Sequence, residues 1–254
     1  GSHYCQDQRF LSLCDEQGLL VFEESLAWGN DAAQYARPGF AAQQETQTRL
    51  MIRESFNHPS VIIWGFLNEG RSKHAECREL YVRLASAVRD EDRTRLVSYA
   101  TMFPFEDINL DLVDVISTNI YPGWYTESEE VRPLHEIDER VRAIRESLAA
   151  RGLAGKPQIL SEIGAAALWG WRDPHNGPYT EQYQCDLLES AIGQVMARDD
   201  LAGIAIWQFC DCRTYASGRA IGRPRTFNNT GIMDEYRRPK QAYGLVKRVF
   251  GGAG

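Results

Sequence analysis

Along the chain, six short apolar runs alternate with longer stretches in which hydrophobic positions recur at helical spacing. The runs are LLVFEE (19–24), VIIWGFL (61–67), RLVSYA (95–100), VDVISTN (113–119), PQILSE (157–162) and GIAIWQF (203–209). A strand with one wet face would alternate apolar and polar residues. Near-continuous apolar runs instead suit strands covered on both faces, as in parallel sheets. The helical spacing predicts helices over 7–17, where Phe10, Leu11 and Cys14 share a face, and over 40–56, 73–90, 128–151, 180–199 and 239–250. Strands alternating with helices predict an α/β fold with right-handed crossovers. With no internal repeat and no low-complexity linker, the reading is one domain over residues 1–254.

Two architectures accommodate this alternation. An open doubly wound sheet calls for a glycine-rich phosphate loop after an early strand, and the sequence has none. In a (β/α)8 TIM barrel, reactive side chains gather where several different strands end. Glu23-Glu24, Asn68-Glu69, Asn119, Glu162 and Gln208 all sit where an apolar run stops. A barrel needs eight strands, however, and the chain opens on a loop and a helix before the first of six. The expectation is a TIM barrel truncated at its N-terminus, with strands 3 to 8 present.

Composition narrows the partners. Hydrophobic residues at 43% and charged residues at 25% are those of an ordinary globular protein. A formal charge of −7 with no basic stripe argues against a nucleic-acid partner. No apolar run approaches the roughly 20 residues that span a bilayer, and no signal-peptide pattern opens the chain, so no membrane partner is expected. The six cysteines have no repeated spacing. Cys210 and Cys212 form C-x-C, but no second Cys or His pair follows at a zinc-like distance. Buried free thiols in a reducing, cytoplasmic compartment are expected, with no metal and no cofactor.

Glu69 and Glu162 carry the chemistry. A single strand-end carboxylate is commonly a solvated loop residue or a helix cap. Two of them, three strands apart in a barrel, would face each other across its mouth. Glycosidic cleavage requires such a pair: one carboxyl protonates the departing oxygen, and the other attacks the anomeric carbon or activates water.

NHPSVIIWGFLNEG and ILSEIG resemble the acid/base and nucleophile segments of glycoside hydrolase family 2, the retaining β-galactosidase and β-glucuronidase family. SHYCQDQRFLSLCDEQGLLVFEE, VDVISTNIYPGWY, IAIWQFCD and NNTGIMDEYRRPKQAY are similar to further segments of that family, so the resemblance runs along almost the whole chain. It implies an exo-acting retaining β-glycoside hydrolase with a carbohydrate substrate. Glu69 would be the general acid/base, Asn68 would hold the sugar 2-hydroxyl, and Glu162 would be the nucleophile. Tyr121 would be a hydrogen-bond partner of the nucleophile, Tyr125 a pocket residue, Trp207 the pocket floor, and His3 a lining residue. Asn119 and Asn228 complete the substrate-binding set. Trp28, Trp124, Trp169 and Trp171 are also aromatic candidates, although an aromatic in a barrel more often packs than stacks on sugar.

The chain departs from the family in two places. β-Glucuronidases carry Asn-x-Lys after the last strand, the lysine gripping the substrate carboxylate; here the residues are Asn228-Asn229-Thr230. Arg213, Arg219, Arg223 and Arg225 lie nearby, and a guanidinium can bind a carboxylate through two parallel hydrogen bonds. A neutral, β-galactoside-like hexoside is therefore expected, with a uronide as the alternative. The carboxylate-rich segment of magnesium-binding β-galactosidases is unmatched in EESLAWGN. A non-catalytic carbohydrate-binding barrel is the rival from another class, but it predicts loss of one glutamate, and both are present. A Ser/His hydrolase would want G-x-S-x-G, which is missing. A homo-oligomer of the full-length protein stays open.

Overall fold

A computed structural model describes residues 1–125, 136–214 and 223–252. The chain forms two compact units, one of Gly1–Asn119 with Ile144–Ile159, the other of Ile120–Ala143 with Leu160–Gly254.

The first unit opens with helix α1 (Gln8–Gln17), which the Asp7 side chain caps by accepting from the Arg9 N–H. Gly18, at φ 68°, ends it in the left-handed conformation that glycine reaches without a Cβ penalty. Strand β1 (Val21–Glu24) follows, so Leu19 and Leu20 of the predicted run lie outside the strand and are exposed. Next come a short helix α2 (Ala32–Tyr35), α3 (Phe40–Ser55), β2 (Val61–Asn68), α4 (Arg78–Glu91), β3 (Leu96–Thr101) and β4 (Ile116–Asn119). The helix predicted from residue 73 begins as a 3₁₀ turn at Ala75–Cys77 and becomes α-helical only at Arg78. Helix α5 (Glu136–Ala150) and strand β5 (Gln158–Ile163) are shared between the units. The beginning of the helix predicted over 128–151, residues 128–135, lies outside the described residues.

The second unit adds α6 (Glu181–Met196), β6 (Gly203–Ile206), a two-stranded antiparallel pair β7 (Cys212–Arg213) and β8 (Phe227–Asn228), and α7 (Gln241–Gly251). The six predicted strands all form and are hydrogen-bonded in chain order, β1 to β6. The pairs β1/β2, β2/β3 and β3/β4 are parallel.

The apolar runs of β2, β3 and β4 have the cause expected of them, whereas β6 is the exception, with no buried residue. In β2 every residue except Ile62 is buried. Its Phe66 packs against Tyr81 of α4 and Tyr99 of β3, with ring centroids 4.9–6.0 Å apart among the three. Burying each such side chain contributes about 1.5–3 kcal/mol. The second unit has its own core, in which Ile163 and Ala165 pack with Leu187, Leu188 and Ala191 of α6 and Leu245 of α7.

The cysteines correct one expectation. All six are free, but only Cys14 and Cys77 are buried, while Cys5 and Cys212 are exposed. Cys5 lies in the loop before α1 and Cys212 in a two-residue strand, neither of which has a second layer to cover it.

Candidate active site

In the first unit, the end of β2 carries Asn68 and Glu69. Glu69 stands at φ 52°, in the left-handed region, where a residue with a Cβ is disfavoured by roughly 1–2 kcal/mol. Its neighbours fix it there. The Glu69 N–H donates to the Ala100 carbonyl at 2.9 Å, and the Asn68 N–H to that of Ala27 at 3.0 Å. The carboxylate is held at both oxygens: Trp28 Nε1 donates to Oε2 at 3.1 Å and Asn119 Nδ2 to Oε1 at 3.0 Å. Asn119 Nδ2 also donates to Asn68 Oδ1 at 3.1 Å. This leaves Asn68 Nδ2 buried with no protein partner, a donor available to a ligand. Gly70 must be glycine, because a Cβ there would stand 2.3 Å from the Tyr35 hydroxyl and 2.6 Å from that of Tyr81.

Behind Glu69 lies Glu24, at the end of β1. Burial pushes its carboxyl above the usual range, and a contact from His3 Nδ1 to Oε2 at 3.4 Å opposes that shift. The His3 ring lies 5.9 Å from that of Trp28. One unit thus brings together four of the candidate residues, His3, Asn68, Glu69 and Asn119, around a carboxylate whose tryptophan donor sequence reasoning left without a role. The clue was present in the sequence: Trp28 lies four residues after β1, in the glycine-containing segment LAWGN.

In the second unit, Glu162 is buried in β5 and only 8% exposed. The Tyr121 hydroxyl donates to its Oε2 at 2.5 Å, and the Ile120 N–H donates to its backbone carbonyl at 3.0 Å. Tyr121 packs edge-on against Tyr125, with ring centroids 4.8 Å apart. Tyr125 in turn accepts from Arg223 Nη2 at 3.3 Å and borders a small aromatic cleft with Trp124, Pro178 and Tyr179. The Trp207 N–H donates to the Ile163 carbonyl at 2.9 Å, which sets Trp207 beside the strand that carries Glu162. Gly164 permits that approach, since a Cβ there would meet the Trp207 carbonyl at 2.1 Å. Asn228 is buried and holds its own turn, accepting from the Thr230 hydroxyl at 2.8 Å.

The four candidate arginines separate. Arg225 is paired with Glu235 at 2.6 Å, Arg213 is exposed on β7, and Arg219 lies outside the described residues. Arg223 reaches the tyrosines. Among the described residues, no group of His, Cys, Asp and Glu side chains has the form of a metal site.

Known proteins place this geometry. The profile of the glycosyl hydrolases family 2 TIM barrel domain matches residues 1–253. A β-galacturonidase of that family from Eisenbergiella tayi, solved with galacturonate bound, superposes with a TM-score of 0.92 at 38% identity. That match covers 100% of this chain and 44% of the solved one. A β-D-glucuronidase from Dictyoglomus thermophilum matches with a TM-score of 0.87 at 29% identity, over 100% of this chain and 44% of that one. By sequence, the β-glucuronidase of Streptococcus agalactiae is 29% identical over 265 residues, covering 97% of this chain and 43% of the relative. The chain thus spans less than half the length of the curated relatives it matches. Its alternation of strand and helix is that of a TIM barrel domain. The chain belongs to glycosyl hydrolases family 2.

Proposed function

We propose that the chain carries both catalytic carboxyls of a retaining, exo-acting β-glycosidase whose substrate is a β-linked hexuronic acid. The carrying observation is that Glu69 and Glu162 are each held by hydrogen bonds at the end of an apolar strand, Glu69 by Trp28 and Asn119 and Glu162 by Tyr121. In this reading, the Tyr121 O–H orients the Glu162 carboxylate for attack on the anomeric carbon. Glu69 donates its proton to the departing oxygen, and the glycosyl ester forms as the old bond breaks. Glu69 then takes a proton from water as that water opens the ester, which returns Glu162 as a carboxylate. The spare N–H of Asn68 is offered to the sugar 2-hydroxyl. Retaining chemistry wants the two carboxyls about 5–5.5 Å apart.

The uronide reading gains on the neutral hexoside for two reasons. The relatives named above are uronidases, and Arg223 beside Tyr125 offers a guanidinium fork in the place of the missing lysine. The neutral β-hexoside remains the second reading, favoured by Thr230 at the lysine position. In the full-length protein, a 2-deoxy-2-fluoro β-uronoside should form a covalent adduct on the ILSEIG peptide. Arg223→Ala should cost on the order of tenfold to a hundredfold on an aryl β-uronide and little on the matching aryl β-galactoside. An adduct elsewhere would overturn the nucleophile; equal losses on the two substrates would return the preference to the neutral sugar.

A further inference from the structure

Lys240 and Asp211 form an ion pair at 2.7 Å with both side chains wholly inaccessible to solvent. Every donor of the ammonium is used: Nζ donates to Asp211 Oδ1, to the Ala167 carbonyl at 2.6 Å and to the Asn229 carbonyl at 2.9 Å. Asp211 also accepts from the Gly231 N–H at 3.0 Å and from Asn229 Nδ2 at 3.1 Å. Gln184 of α6, also buried, extends the network by donating to the carbonyls of Ala165 at 2.8 Å and Gly231 at 3.0 Å.

The segments tied together are those that carry the site. Ala165 and Ala167 follow Glu162 on the chain, Asp211 follows Trp207, and Asn229 adjoins Asn228. None of these segments belongs to the six-stranded sheet; the two-residue β7/β8 ladder pairs Cys212 with Asn228, beside Asp211 and Asn229, and Ala165 and Ala167 lie in neither sheet. Desolvating two charges costs several kcal/mol per ion, and apolar residues of similar volume commonly stabilise a core as well or better. An apolar pair cannot, however, specify that the carbonyls of Ala167 and Asn229 and the carboxylate of Asp211 meet at one point.

Resting on the function proposed above, we propose that Lys240 and Asp211 are positioning residues of the glycosidase. They touch no substrate and hold the chain beyond Glu162, the chain beyond Trp207 and the turn of Asn228 in one register. The pair acts on the chemical step through the placement of Glu162 rather than on folding alone.

The test uses the full-length enzyme and the same fluorinated β-uronoside, comparing the parent with Lys240→Met and with the paired replacement Asp211→Leu/Lys240→Met. Intact mass gives the labelled fraction, and its time course gives the inactivation rate constant. The folded fraction under the assay conditions is measured by denaturation and divides the observed constant, so that partial unfolding does not lower the corrected value, while protein that no longer refolds lowers only the amplitude. The expected result is a constant reduced by about tenfold to a hundredfold in both variants, the scale that small misplacements cause. In the paired variant the melting temperature should stay close to the parent's. A constant within twofold of the parent's, whatever the amplitude, would overturn the proposal. Should neither variant fold, Asp211→Asn keeps the shape and an acceptor while removing the charge, and its constant is judged by the same criterion. A parent that fails to label at Glu162 would instead count against the proposed function.

Discussion

Two buried carboxyls in the first unit have opposite fates. Asp92 lies ahead of β3, where strands begin, and its side chain is 0% exposed. Burial alone would raise its pKa, but hydrogen bonds from Thr94, Trp64 and Arg95 outweigh burial and hold the carboxyl well below the ordinary range. Trp64 Nε1 donates at 2.9 Å and Arg95 Nη1 at 2.8 Å. Glu24 lies where β1 ends. It is also shut away from water and lies deeper, so burial wins there and the carboxyl is pushed up. The difference is in the depth of burial and in the number of donors. Where strands begin, Asp92 is supplied with enough of them to stay charged. Where strands end, Glu24 and Asn68 keep buried polar atoms without a protein hydrogen bond. Around Asp92 both carboxylate oxygens are satisfied, whereas beside Glu69 the Asn68 Nδ2 is left for a ligand.

The comparison can be broken most sharply at Glu69. Glu69→Gln keeps the shape and the acceptor facing Trp28 but removes the proton. We expect a loss of about 10²- to 10⁴-fold on substrates with basic leaving groups. The loss should be smaller on activated aryl glycosides, and azide should partly restore turnover. A uniform loss across the leaving-group series would remove Glu69 from the acid role and make the finishing end no more functional than the starting end.

At the other end, Asp92→Asn leaves Arg95 half-paired in a buried setting and should cost about 3 kcal/mol of stability. The folded fraction should keep its turnover. Since the folded pKa of Asp92 is depressed, its contribution is present above the unfolded aspartate value near 3.9 and is lost as pH falls below it. Chemical denaturation from pH 7 to pH 3 should show this acid-side loss in the parent and a flatter curve in the variant. A variant that is stable but inactive would reverse the assignment.

Glu24→Gln should act in the other direction and by less. A raised carboxyl contributes most below the unfolded glutamate value near 4.3 and loses ground as pH rises through its folded value. The amide avoids that penalty, so the melting midpoint at neutral pH should rise, with the gain fading toward pH 4. A lower midpoint at neutral pH would mean that the charged form and its contact with His3 matter more than burial. Trp28→Phe should have the smallest effect, since it removes one hydrogen bond to Glu69 and keeps the ring. We expect a loss of about tenfold in kcat with KM nearly unchanged, in keeping with roughly 1.5 kcal/mol for a bond to a charged group. An effect confined to KM would make Trp28 a substrate contact instead.

Much of this was legible along the chain. Strands covered on both faces must be apolar at nearly every position, so VIIWGFL and PQILSE declared β2 and β5 without reference to anything distant. A polar residue directly after such a run has nowhere to go but the strand end, which is where Asn68, Glu69 and Asn119 stand. The bounds of β1 were less legible, because Leu19 and Leu20 extend the apolar pattern past the strand while remaining exposed. The two-residue strands β7 and β8 are too short to have a period at all.

By itself, then, the sequence determined the order of strands and helices and the two glutamates that end apolar runs, because burial on a regular element leaves a local signature. Tyr121 was named for Glu162 through the family resemblance, but only the tertiary structure decided the other long-range partners. Trp28 meets Glu69 across 41 residues, Arg223 meets Tyr125 across 98, and Lys240 meets Asp211 across 29. These partners sit on loops, whose residues follow no period. Hydrogen bonds between loops depend on where the packed strands and helices leave the chain, and no local pattern of residues encodes that.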